Sequence, residues 1–194
     1  MHAVEIRVLG SLLEKEITTP EYYPLTLNAL QNACNQKSSR EPVVHYDEET
    51  VLRALELLRS KHLALKISGA GHRVEKYGHR LGETLNLGRR EMALLCVLML
   101  RGPQTVGELR GRTERMHEFA DMEEVERVLE TLAARSPEPL VAPASRGRWK
   151  HLLGDPGEEV EPEAAPPRPH LEARVEALER EVADLKRQLA DLLS

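Results

Sequence analysis

The residues of this sequence best suited to chemistry are basic side chains gathered around short strand-like segments, and the chemistry they suit is neutralisation of phosphate. Residues 59–80 hold six cations, Arg59, Lys61, Lys66, Arg73, Lys76 and Arg80, against one acid, Glu75, with His62, His72 and His79 interspersed. Residues 141–151 hold Arg146, Arg148 and Lys150 and no acid. Lys37 and Arg40, in the polar stretch that follows residue 35, and Arg53 complete the candidate set for nucleic-acid contact.

Other chemistries fit less well. Eight histidines and two cysteines invite a metal, but no C-x-x-C, H-E-x-x-H or H-x-x-x-H spacing occurs, and Cys34 and Cys96 fall at helical core positions. The chain has no G-x-x-x-x-G-K, G-x-G-x-x-G or G-x-S-x-G, so phosphate loops and nucleophile elbows are not indicated. Glu14, Glu16 and Glu21 read as surface charge rather than an acid–base pair. Tyr22 and Tyr23 form the densest aromatic spot and are expected to pack between the first two helices; Trp149 sits among Arg148 and Lys150. The expectation is a non-enzyme with no cofactor and no metal.

Those cations need a scaffold, and the first 152 residues supply one twice over. Residues 4–15 place Val4, Val8, Leu9, Leu12 and Leu13 on one helical face, with Glu5, Arg7, Glu14 and Lys15 outside it. The counterpart at 91–101 is apolar from Met92 to Leu100, which predicts a helix buried on most sides. Second helices are expected at 25–35 and, with Thr105 as N-cap, from Val106 to about residue 115. Third helices start at Asp47, ahead of Val51, Ala54, Leu55 and Leu58, and at Asp121, ahead of Val125, Val128, Leu129 and Leu132, a constant offset of 74 residues. A hairpin is expected after each: 63–67 returning at 73–77 around Ser68-Gly69-Ala70-Gly71, and 140–142 returning at 148–152 around Ala144-Ser145-Arg146-Gly147. Three helices and a hairpin, repeated, describe a mainly α chain with small β-hairpins: two tandem winged-helix (helix-turn-helix) domains, 1–86 and 87–154.

Beyond them the composition changes. Five prolines among residues 155–170 mark an extended linker. In residues 171–194, Leu171, Val175, Leu178, Val182, Leu185, Leu189 and Leu192 alternate spacings of four and three, a heptad seam. Valine and leucine at a with leucine at d, and Arg174–Glu179 and Glu181–Lys186 as g–e pairs, suit a parallel two-stranded coiled coil, so the chain itself is the expected partner. This segregation explains the overall charge. The net −5 combines −6 over residues 153–194 with +1 over the rest. No apolar run approaches the length of a membrane span and no secretory leader is evident, so a reducing cytoplasm is the expected compartment.

Several stretches also carry a family resemblance. Ile17-Thr18-Thr19-Pro20-Glu21-Tyr22-Tyr23-Pro24-Leu25-Thr26-Leu27-Asn28-Ala29-Leu30, Ala33-Cys34-Asn35-Gln36-Lys37-Ser38, Arg73-Val74-Glu75-Lys76-Tyr77-Gly78-His79-Arg80 and Leu100-Arg101-Gly102-Pro103-Gln104-Thr105 with Gly107-Glu108-Leu109-Arg110 resemble the YceH-like bacterial family. The likeness covers about residues 3–153 and implies a tandem winged-helix fold, without an established activity.

Charge placement leaves two functional readings. Basic wings favour a dimeric transcriptional regulator on double-stranded DNA. Against base reading, Asp47, Glu48 and Glu49 open one recognition helix and Asp121, Glu123 and Glu124 the other, where carboxylates complement the helix dipole but would face a docked phosphate. These acids leave open a protein–protein adaptor that uses the winged helices as docking surfaces. On either reading, deletion of residues 155–194 is expected to lower the mass measured by light scattering from that of a dimer to that of a monomer while leaving the circular-dichroism signature of the helical domains; an unchanged oligomeric state would refute the seam.

Overall fold

A computed structural model of the chain describes residues 1–67 and 74–154. The heptad leucines and valines and Arg73 lie outside these residues. Both repeats belong to one compact unit, Met1–Glu158.

The first repeat runs α1 (Ala3–Thr18), a 3-10 turn (Pro20–Tyr22), β1 (Leu25–Thr26), α2 (Leu27–Cys34), α3 (Glu48–Ser60), β2 (Ala64–Ile67) and β3 (Lys76–His79). A short helix, α4 (Leu81–Leu85), leads into the second, which runs α5 (Arg89–Arg101), β4 (Gln104–Thr105), α6 (Val106–Thr113), α7 (Met122–Ala133), β5 (Val141–Ala144) and β6 (Arg148–His151). Each repeat closes with a three-stranded antiparallel sheet, ordered β1-β3-β2 and β4-β6-β5. The described part of the chain is therefore mainly helical with small antiparallel sheets.

Local chemistry accounts for the helix starts. Asp47 accepts from the Thr50 amide at 2.8 Å and Asp121 from the Glu124 amide at 2.7 Å, the side-chain caps expected from sequence. Thr105 accepts from Glu108 N at 3.2 Å, and the Glu108 carboxylate accepts from Thr105 N at 2.8 Å, a reciprocal capping box. Behind the aspartates, Val51, Ala54, Leu55, Leu58 and Val125, Val128, Leu129, Leu132 are all buried.

The expected elements shift in three places. Leu25 and Thr26 are not helical; they pair with Tyr77 and Lys76 as a third strand, and Thr26 caps α2 from there. The matching pair Gln104 and Thr105 meets Trp149 and Arg148. The first hairpin returns at Lys76–His79, later than expected, with Ile67 opposite Lys76 and Ala64 opposite His79. Tyr22 stands 72% exposed, so only Tyr23 packs inward, where its hydroxyl accepts from the His79 amide at 2.7 Å.

The larger surprise lies on α1. Glu5 and Arg7, expected to face solvent, are 1% and 4% exposed, because α1 is covered by α2 and α3 of its own repeat and by α5 of the other. Every residue of α5 from Ala93 to Leu100 is buried, as its continuous apolar run predicts. The two helices meet at Gly10. A Cβ there would lie 3.0 Å from Leu100 Cδ2 and 3.2 Å from Met99 Cβ, and the Cys96 thiol donates to the Gly10 carbonyl at 3.6 Å.

Replacement of Gly10 by Val is expected to destabilise the protein by about 1–3 kcal/mol through overpacking. Gly111→Ala, in α6 where a Cβ meets nothing within 4 Å, is expected to stabilise it by up to about 1 kcal/mol. Urea unfolding of the two variants checks both signs.

Candidate nucleic-acid interface

The hairpins and third helices carry the basic residues that sequence singled out, but their surroundings differ. On the first hairpin, Lys66 pairs with Glu75, and Lys76 is half-buried at the start of β3. The hydrogen bond from Lys66 holds the Glu75 carboxyl below its ordinary range, and Arg59, exposed in the last turn of α3, adds its positive field. Arg53 is exposed and bound to Glu49 at 2.8 Å, one turn earlier on the same helix. Lys37 is exposed in the connection from α2 to α3.

Arg40 does not belong to any surface. Its side chain is fully buried, its Nη1 and Nη2 donate to the two Glu14 oxygens at 3.0 and 2.7 Å, and its Nε and Nη2 donate to the Ala33 carbonyl at 3.1 and 2.9 Å. The guanidinium is a structural clamp between α1 and the end of α2 and is not offered to phosphate. Burial works to raise the Glu14 carboxyl, but the hydrogen bonds and charge of Arg40, helped by Lys15, outweigh it and hold the group below the ordinary carboxylate range.

On the second hairpin Arg146 is exposed at the turn, with φ 57° and ψ 40° in the left-handed region, next to Gly147 at φ 66°. Arg148 turns back to α6: its Nη1 donates to the Glu108 carboxylate and to the Pro103 carbonyl, both at 2.9 Å. Lys150 is half-buried on β6. Arg110, on α6, is spent on the Phe119 and Ala120 carbonyls at 3.3 and 2.9 Å.

Two of the acids at the helix starts, Asp47 and Glu124, lie below the ordinary carboxylate range. Thr50, through its side chain and then its amide, lowers the Asp47 carboxyl, and the Ala120 amide followed by Arg90 does the same for Glu124. The first turns of α3 and α7 are therefore negative surfaces. Among the candidate cations within the described residues, Arg40, Arg53, Lys66 and Arg148 are drawn into ion pairs with carboxylates, whereas Lys37, Arg59, Lys76 and Arg146 are not.

Sequence reading missed the polar groups that hold the first repeat together. Arg7 donates to the Cys34 and Pro42 carbonyls at 3.2 and 2.7 Å, and Glu5 accepts from the His2 amide at 2.8 Å and from Lys61 at 2.6 Å. The available signal was their position: both lie within the stretch between Val4 and Leu13, where apolar residues dominate. Among the described residues no group of three or more His, Cys, Asp or Glu side chains is placed to hold a metal ion, and no helix is long and apolar enough to cross a membrane.

A twice-repeated unit of three helices and a small sheet, with basic hairpins and acid-capped third helices, defines the class. The chain belongs to the family described as protein of unknown function, DUF480, which matches residues 1–148. It is 53% identical to a UPF0502 protein of Opitutus terrae over 189 residues, covering 94% of this chain and 82% of that one. It is 56% identical to a UPF0502 protein of Solibacter usitatus, covering 96% and 93%, and 63% identical over 137 residues to one of Citrifermentans bemidjiense, covering 71% and 63%.

Removing the Arg40 clamp leaves the largely buried Glu14 with only Lys15, 3.3 Å away, as counter-charge. Arg40→Ala is expected to cost about 3–5 kcal/mol in urea unfolding. Because the Glu14 carboxyl is lowered on folding, its contribution is complete at neutral pH and is lost as acid protonates it. The stability deficit of Glu14→Gln relative to wild type should therefore shrink between about pH 7 and about pH 3; a deficit independent of pH would contradict the charge-based account.

Proposed function

We propose that the protein is a DNA-associated regulator built from two tandem winged helices, contacting duplex DNA through its hairpins and dimerised by the C-terminal heptads. The observation that carries this reading is the unit itself. Each repeat orders three helices before a hairpin, leaves the outward face of the third helix exposed, and places basic residues beside it: Arg59 and Lys76 in the first, Arg146 in the second. The YceH-like motifs support the same fold. With the helix starts negative, most contacts fall on phosphate rather than base edges, so affinity outweighs sequence discrimination.

A protein-docking adaptor is the second reading. It is favoured by the pairing of Arg53, Lys66 and Arg148 with Glu49, Glu75 and Glu108, which spends cations a phosphate would need. It is favoured too by exposed apolar side chains on or beside those surfaces, Leu57, Val74 and Met122 at 42%, 59% and 56%.

Titration of duplex DNA into the full-length protein separates the two. If about six phosphates are neutralised, log affinity falls with log salt at a slope of about −5. Lys76→Ala should weaken binding equally for all sequences and reduce the slope by about 1. No binding at about 50 mM salt would remove the regulator reading and leave the adaptor.

A further inference from the structure

The richest unassigned cluster of cations lies not on the hairpins but in a cavity of about 200 Å³ where the two repeats meet. The last turns of α1 contribute Lys15 and Thr18 to its lining. The connection after α2 contributes Ser38 and Ser39. The end of α5 contributes Arg101, and α6 with the residues after it contributes Arg112 and Arg115. Deeper lining is apolar and comes from the buried Val97 and Leu100.

Four cations thus converge on one concave space. The lining holds a single carboxylate, Glu14, and that is already bound by the buried Arg40. Lys15 stands 3.3 Å from Glu14 and 3.4 Å from the Gln36 side-chain oxygen, and Arg101 donates to the Ser39 hydroxyl at 2.8 Å. Arg112 keeps only a long 3.6 Å approach to Glu108. The crowding acts on Arg101: burial, and after it the charge of Arg112, pull its guanidinium below the ordinary value. Beyond these contacts the lining offers the clustered guanidiniums no second carboxylate, and phosphoryl oxygens match guanidinium geometry.

We propose that this cavity is a binding site for a small phosphorylated anion, held by Arg101, Arg112, Arg115 and Lys15 between the two repeats. Its volume lies below the roughly 300–1,000 Å³ of sites for drug-sized ligands, so the occupant is compact, on the scale of one or two phosphoryl groups with few carbons. The concave, partly apolar lining favours such a molecule over the backbone of a duplex. The site does not rest on the regulator reading.

Inorganic pyrophosphate is the probe, titrated calorimetrically into the full-length protein at low salt and followed in parallel by thermal unfolding. Saturable binding is expected, with a rise in Tm of about 5–10 °C at a hundredfold excess over Kd. Arg101→Gln and Arg115→Gln should each weaken binding by about tenfold or more; Arg115 is exposed, so its replacement tests the site without disturbing the fold. Arg127→Gln, on the exposed face of α7 away from the cavity, should leave the affinity unchanged. Absence of saturable binding at millimolar pyrophosphate overturns the proposal, as does equal weakening by Arg127→Gln. One-for-one displacement of pyrophosphate by duplex DNA would also overturn it, by assigning the cations to backbone phosphate.

Discussion

Contact between α1 and α5 is the constraint on which the rest of the structure depends. Gly10 lets the two helices approach until Leu100 and Met99 fill the space a side chain would take. From that approach follows the continuous burial of Glu5 to Leu13 on one helix and of Ala93 to Leu100 on the other. An amphipathic helix needs one dry stripe; a helix covered by its own repeat and by its neighbour has almost no wet one. Polar residues caught on α1 must then be satisfied from inside. Glu5 takes Lys61 from the end of α3, Arg7 takes two carbonyls, and Glu14 takes Arg40. These side chains tie α1 to the ends of α2 and α3, and so set where the third helix and its hairpin stand.

Much of this was legible in the residues wherever the cause is local. Asp47 and Asp121 announce helices because an aspartate bonds an amide three residues on, and the valines and leucines behind them keep their period regardless of what they face. The uninterrupted apolar run of α5 likewise foretold burial all round. Long-range causes left no such trace. β1 and β4 are two residues each, too short for any alternation, and exist because β3 and β6 offer them an edge. Arg40 reads as one more loop cation until Glu14, 26 residues away, is brought to it. Glu5 and Arg7 read as the polar side of a helix because their partners, Lys61 and the Cys34 and Pro42 carbonyls, lie 27 to 56 residues away along the chain.

The same distinction governs the candidate interface. A count of basic residues suggests a strongly positive hairpin, but charge acts through what remains after internal pairing. Lys66, Arg53 and Arg148 each meet a carboxylate. Meanwhile Thr50, through its side chain and then its amide, holds Asp47 below the ordinary carboxylate range, and the Ala120 amide does so for Glu124. The surface potential is therefore milder on the hairpins than composition implies, while four cations line the cavity where the repeats join.

Joining through α1 and α5 also fixes how the protein comes apart. Neither repeat owns a complete core: α1 and α5 pack against each other at Gly10, Leu100 and Met99, and each loses that cover if the other half opens. The two halves, though consecutive along the chain like beads, belong to one compact unit. Their hairpins are therefore carried at a separation set by packed helices rather than by a tether, and a partner that grips one meets the other at a fixed spacing.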